Sequence, residues 1–237
     1  MKKPILTVQN LGVTFNNETI LHSINFSVNQ GDIIVVVGPN GAGKTTMLRA
    51  LLGLVPHSGI VEWHTKQASY LPPYELLQRK DVPPLTIEEF FLCKKKINPT
   101  EIPILLEEVG LDPLIASKQF NELSTGQFQR MLIAWSLISN PQVILFDDPT
   151  TAIDIKGQAK LYELLKKLWQ DKKLTIILVT HNLDIVWEHA THVLCLNKTI
   201  ICQGKPETTL TPENLFQLYG WGVKKYEHHH DKPRHEQ

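Results

Sequence analysis

One octapeptide limits what this chain can fold into more than any other stretch: Gly38-Pro39-Asn40-Gly41-Ala42-Gly43-Lys44-Thr45, a full match to G-x-x-x-x-G-K-[ST]. The β-branched run Ile33-Ile34-Val35-Val36-Val37 precedes it and reads as a buried strand. Met47, Leu48, Leu51 and Leu52 come after it at helical spacing and read as one apolar helix face. A glycine-rich turn between a strand and a helix points several backbone N–H groups at one spot, where the helix dipole adds attraction for anions. That arrangement suits a nucleotide triphosphate. Lys44 would reach the β- and γ-phosphates, and the Thr45 hydroxyl would ligate magnesium. The whole cradle runs through Gly38, Pro39, Asn40, Gly41, Ala42, Gly43, Lys44, Thr45 and Thr46. A chance match in a glycine-rich turn is the alternative, but the required strand and helix both flank the motif.

The rest of the chain repeats the strand-then-helix order. Val143-Ile144-Leu145-Phe146 reads as a second buried strand ending at Asp147 and Asp148. Asp147 would stand beside the magnesium, and Asp148 could orient or deprotonate an attacking water. Asp154 can cap a helix with Leu161, Leu164, Leu165 and Leu168 on one face. A third buried strand through Val179 ends at Thr180-His181-Asn182, with Asn182 a helix cap. This alternation predicts an α/β fold with a mainly parallel sheet. Residues 5 to 36 read as short strands, with Val13 and Phe15, then Ile24, Phe26 and Val28, in period-two patterns. Prolines at 72, 73, 83, 84, 99 and 103 mark a less regular lobe with short helices, and a helix resumes at 126 to 139. Residues 193 to 203 look like a final hairpin, and there is no internal repeat.

Composition excludes several classes. Lysine plus arginine equals aspartate plus glutamate at 24 each, so there is no basic footprint for nucleic acid. Cys93, Cys195 and Cys202 are too few and scattered for a disulfide framework, which suits a reducing compartment. Cys195 and Cys202 read as small core hydrophobes rather than a metal pair. No run approaches the roughly 18 apolar residues of a membrane span. The start, Met1-Lys2-Lys3-Pro4, lacks the apolar core of a signal peptide. In a membrane process, another chain would have to do the spanning.

Leu123-Ser124-Thr125-Gly126-Gln127, then Gln129-Arg130, resembles the LSGGQ-x-Q-R signature of ABC transporter ATPases. Thr150-Thr151-Ala152-Ile153-Asp154 is similar to that family's D-loop, and His181 to its switch histidine. Phe15 stands where the family stacks an aromatic ring on adenine. The resemblance implies a P-loop NTPase core of the ABC type, with an N-terminal antiparallel β subdomain and a helical signature subdomain. It places the ATP-binding domain at residues 1–221, with a helical lobe of about 73–136 inserted, and a polar tail at 222–237. It further implies ATP and Mg2+ as cofactors, Asp148 and His181 as catalytic residues, and a head-to-tail pair of copies. In that pair, Ser124, Thr125, Gly126 and Gln127 of one copy face the nucleotide in the other's cradle, with Asp154 in the D-loop. A helix start supports this, because its free N–H groups favour a phosphate. Without the resemblance, Leu123-Ser124 reads as a routine helix cap.

Three positions depart from the family pattern. Asp148 replaces a glutamate, and its carboxylate sits about 1.5 Å further back, enough to slow a positioned proton transfer about 10²-fold. Thr125 replaces a glycine, which would strain the backbone if that position needs a positive φ. Pro73 replaces a glutamine and offers no side-chain donor or acceptor. A slow ATPase is expected, or an ATP-dependent clamp that has nearly lost hydrolysis.

The stretch from Leu194 to Glu207 resembles the corresponding hairpin of the ATPase subunits of bacterial zinc importers. That implies a peripheral place on the cytoplasmic face of the cell membrane, an integral membrane permease as partner, and indirectly a periplasmic or extracellular metal-binding protein. Importers of manganese or iron share much of this pattern, and a non-transport ABC ATPase is the rival class. Leu76, Leu77, Phe90 and Phe91 offer either a permease-docking surface or the lobe's own core. Lys94-Lys95-Lys96 reads as a solvated face. His228, His229, His230 and His235 are ligands of the kind a zinc-sensing tail would use; a solvated terminus or a tag remnant is the other reading. Asp148→Glu is expected to raise ATP turnover at least tenfold and Asp148→Asn to lower it further, read by phosphate release; three equal rates would remove Asp148 from the mechanism.

Overall fold

A strand with no polar residue needs cover on both faces, and β3 (Ile33–Val37) receives it. In the computed structural model, which describes residues 4–73, 84–94, 97–150 and 153–220, all five of its side chains are buried. Its neighbours β7 (Thr175–Val179) and β8 (His192–Asn197) both run parallel to it. The sheet has six strands in the order β5-β6-β7-β3-β8-β9, adding β5 (Ala68–Leu71), β6 (Val143–Asp147) and β9 (Thr199–Gly204). Only β9 pairs antiparallel within it.

Alternation along the central strands divides the core in two. Ile33, Val35, Ile176, Leu178, Ile144 and Phe146 belong to one cluster, with α4 (Thr125–Leu137), α5 (Ile155–Lys172) and α6 (Leu183–His189). Ile34, Val36, Ile177, Val179, Val143 and Leu145 belong to the other. There they meet α1 (Lys44–Leu51) and an antiparallel sheet of order β2-β1-β4. Its strands are β1 (Pro4–Phe15), β2 (Glu18–Asn29) and β4 (Ser58–Trp63). The expected mainly parallel sheet and N-terminal antiparallel part are both present.

Between β5 and β6 the chain forms α2 (Ile87–Leu92), α3 (Ile102–Glu108), short 3-10 turns and α4. A capping box starts α2: Thr86 accepts from the Glu89 N–H while the Glu89 carboxylate accepts from the Thr86 N–H. Phe91 is fully buried and Phe90 stacks on Trp135 with ring centroids 5.3 Å apart. These two rings build the lobe's own core, so the docking reading does not hold for Phe91. Leu76 and Leu77 lie outside the described residues.

Lys94 also differs from expectation. Its ammonium lies 4.0 Å from the Trp135 ring centroid and donates to the Trp135 carbonyl at 2.9 Å. A lysine beside an aromatic face gains by laying its stem along the ring, so this residue is half-buried rather than part of a solvated face. Lys95 and Lys96 are outside the described residues, as are Thr151, Ala152 and the tail with His228, His229, His230 and His235.

The cysteine reading needs a correction too. The register of the β8–β9 hairpin sets Cys195 directly opposite Cys202, with Cα atoms 5.0 Å apart, and a disulfide joins them. Cys195 is still a core residue, but the pair is bonded, and cysteine usage no longer argues for a reducing compartment. Two helices, α7 (Pro206–Thr209) and α8 (Pro212–Tyr219), come after this hairpin. Among the described residues no helix is long and apolar enough to cross a membrane. Phe91→Ala should cost about 3–5 kcal/mol of folding stability by denaturant unfolding; a loss below about 1 kcal/mol would place Phe91 at a surface instead.

Candidate active site

The loop after β3 turns into α1 because glycines stand at two places where a side chain would not fit. Gly43 has φ 94 at the N-cap of α1. A Cβ on Gly38 would collide with the Leu196 carbonyl, so the loop can lie directly on the β8–β9 hairpin. The hairpin turn braces it further, the Lys198 N–H donating to the Ala42 carbonyl at 3.0 Å. Lys44 then folds back across the loop, its ammonium donating to the carbonyls of Gly38 at 2.8 Å and Pro39 at 2.9 Å. Burial lowers the pKa of Lys44, while the charges of Asp148 and Asp147 oppose that shift.

At the end of β6, Asp147 is 1 % exposed. The Thr45 hydroxyl donates to its Oδ1 at 3.0 Å and the Tyr70 hydroxyl to its Oδ2 at 3.1 Å. Burial raises the Asp147 pKa, and those two hydrogen bonds pull it down. Burial, then the Asp147 charge, pushes Tyr70 up to about 12.

Asp148 leaves the strand with φ 48, a region that aspartate tolerates better than most side chains. Its N–H donates to the Val179 carbonyl at 3.0 Å, and its Oδ2 lies 2.9 Å from His181 Nδ1. Oδ1 is buried with no hydrogen-bond partner. Behind this pair, the Tyr162 hydroxyl bridges Thr150 at 3.1 Å and Thr180 at 3.2 Å, linking the ends of β6 and β7.

Between the loop and the two aspartates opens one cleft of about 910 Å³, a size ordinary for a nucleotide-sized ligand. Asn40, Gly41, Ala42, Gly43, Lys44, Thr45, Thr46, Asp147, Asp148 and His181 all contribute, and Pro73 forms part of the wall. Gly38 and Pro39 take part through the carbonyls that hold Lys44. Phe15, at the end of β1, is 68 % exposed and is not a cleft-lining residue.

The signature residues lie elsewhere. Ser124 caps α4, accepting from the Gln127 N–H at 3.2 Å, while the Gln127 side chain accepts from the Ser124 N–H. Thr125 is the first residue of that helix and has no positive φ, so the expected strain is absent. Asp154 caps α5 through the Gly157 N–H at 3.2 Å. None of Ser124, Thr125, Gly126, Gln127 and Asp154 lines the cleft of its own chain. Sequence reasoning missed Tyr70. Its only signal is position: Tyr70 pairs with Leu145 across β5 and β6, two residues before Asp147.

Comparison with known proteins agrees with this geometry. A family model described as ABC transporter matches residues 21–151. A Thermotoga maritima protein named "Probable metal transport system ATP-binding protein" is 35 % identical over 247 residues, covering 97 % of this chain and 99 % of that one. The zinc import ATP-binding protein ZnuC of Buchnera aphidicola subsp. Schizaphis graminum is 35 % identical over 235 residues, covering 96 % and 97 %. A solved structure described as an inward-facing conformation of a putative metal-chelate type ABC transporter superposes with a TM-score of 0.81 at 30 % identity, covering 91 % of this chain and 89 % of that one.

Because burial raises the Asp147 pKa, keeping that side chain costs folding free energy. The cost is absent below the ordinary carboxylate range, where both states are protonated, and complete above the raised folded value. Asp147→Asn should therefore melt at a higher temperature than wild type at pH 7 in nucleotide-free buffer, with the gap closing as pH falls through that window. Equal melting at neutral pH would contradict the burial cost.

Proposed function

The chain belongs to the ABC transporter family of ATP-binding proteins, and from that footing we propose that two copies clamp ATP and Mg2+ between them to drive a membrane permease that imports zinc. The chain is an ATPase. The observation that carries the finer reading is the split of the motif residues. One half surrounds the cleft, while Ser124, Thr125, Gly126 and Gln127 sit at a helix start away from it. A second copy turned head to tail would bring that helix start, with its free N–H groups, to the far side of the nucleotide.

Within one copy, the loop N–H groups and Lys44 bind the phosphates. A hydroxyl and a carboxylate in contact, as in Thr45 and Asp147, are the hard oxygen donors magnesium prefers, so the residues fit that ion. Bound there, magnesium would offset phosphate charge. Asp148 would act as the base for the attacking water, with its Oδ2 held beside His181 Nδ1. The short Asp148 side chain makes slow turnover the expected behaviour.

Zinc is favoured over manganese or iron by the relatives, several of which are named as zinc import ATP-binding proteins. In this reading the chain works on the cytoplasmic face of the membrane, with residues 1–221 as the ATP-binding domain. The permease docks in the groove between the core and the lobe of about 72–101, and a metal-binding protein outside delivers the ion. In a bacterium lacking its own zinc-importer ATPase, wild type plus the matching permease should restore zinc uptake and Lys44→Ala should not. Rescue of manganese or iron uptake but not zinc would change the metal. Rescue by Lys44→Ala would overturn the site.

A further inference from the structure

The Asp147 carboxylate has a donor on each oxygen, Thr45 from α1 and Tyr70 from β5. Thr45 and Arg49 are four residues apart and share a face of that helix. Thr45 donates directly to Oδ1. The positive charge of Arg49 lies near Tyr70, whose hydroxyl donates to Oδ2. The two donors tie three elements together at one carboxylate: α1, β5 and β6.

We propose that Tyr70 is a positioning residue: its hydroxyl fixes the rotation of the Asp147 carboxylate so that Oδ1 stays against the Thr45 hydroxyl, where magnesium would be held. Two features of the site make this a demand rather than an ornament. With Asp147 almost fully buried, water does little to hold either oxygen. The carboxylate torsion of aspartate is broad and roughly two-fold, so one contact at Oδ1 leaves the carboxylate free to swing. A second donor at Oδ2 removes that freedom. Partners of this kind around a metal ligand typically change metal affinity 10–100-fold when removed.

The inference rests on Thr45 and Asp147 holding magnesium. Tyr70→Phe tests it, since the ring stays and only the hydroxyl goes. Binding of a fluorescent, non-hydrolysable ATP analogue would be titrated with magnesium, and separately in EDTA, for wild type and variant. The variant should need about tenfold more magnesium for half-maximal enhancement of binding, with affinity in EDTA unchanged. An unchanged magnesium requirement overturns the role of Tyr70. An equal loss of affinity in EDTA also overturns it, because the hydroxyl would then support the fold or the phosphate loop. Failure of wild type to respond to magnesium at all would instead bring down the underlying reading of Thr45 and Asp147.

Discussion

The parallel register of β3, β6 and β7 is the constraint on which the site depends. Val36 pairs with Val179, and Asp147 pairs with the same Val179 from the other side. Three strands thus end level with one another, and the segments leaving them emerge at one edge of the sheet. Those segments begin with Gly38, Asp148 and Thr180-His181. In open α/β sheets ligands collect outside the carboxyl ends of the strands. Here the rule has a mechanical cause. Any shift in register would move the phosphate loop away from the carboxylates, and buried apolar side chains on both faces resist that shift.

Those three strands were also the legible part of the sequence. Runs of β-branched residues that end in chemistry leave few alternatives for their placement, and each strand formed close to where its pattern put it. Helix starts were legible for a related reason. Ser124, Asp154 and Asn182 each satisfy backbone donors only a few residues away, so local sequence is enough to find them.

Features that depend on distant partners were not legible. Tyr70 meets Asp147 only because β5 lies against β6. Lys94 looks like part of a charge run until Trp135 supplies a ring to lie on. The pairing of Cys195 with Cys202 comes from the hairpin register, which no count of cysteines reveals. Strain at Thr125 is an expectation by analogy with a glycine, yet a first-turn helical position accepts the residue. The left-handed backbone falls on Asp148 instead.

Tyr162 gives the two loops behind the cleft a shared fate. Its single hydroxyl sits in the interior between Thr150 and Thr180, one on each side. Drawing the loops apart would strand a buried hydroxyl at a cost of about 1–3 kcal/mol. Small displacements at Thr150 should therefore carry over to the segment bearing His181, in addition to the direct contact of Asp148 with His181. Such a coupling makes the back wall of the cleft behave as a single plate, so a push arriving on one loop is felt by the other.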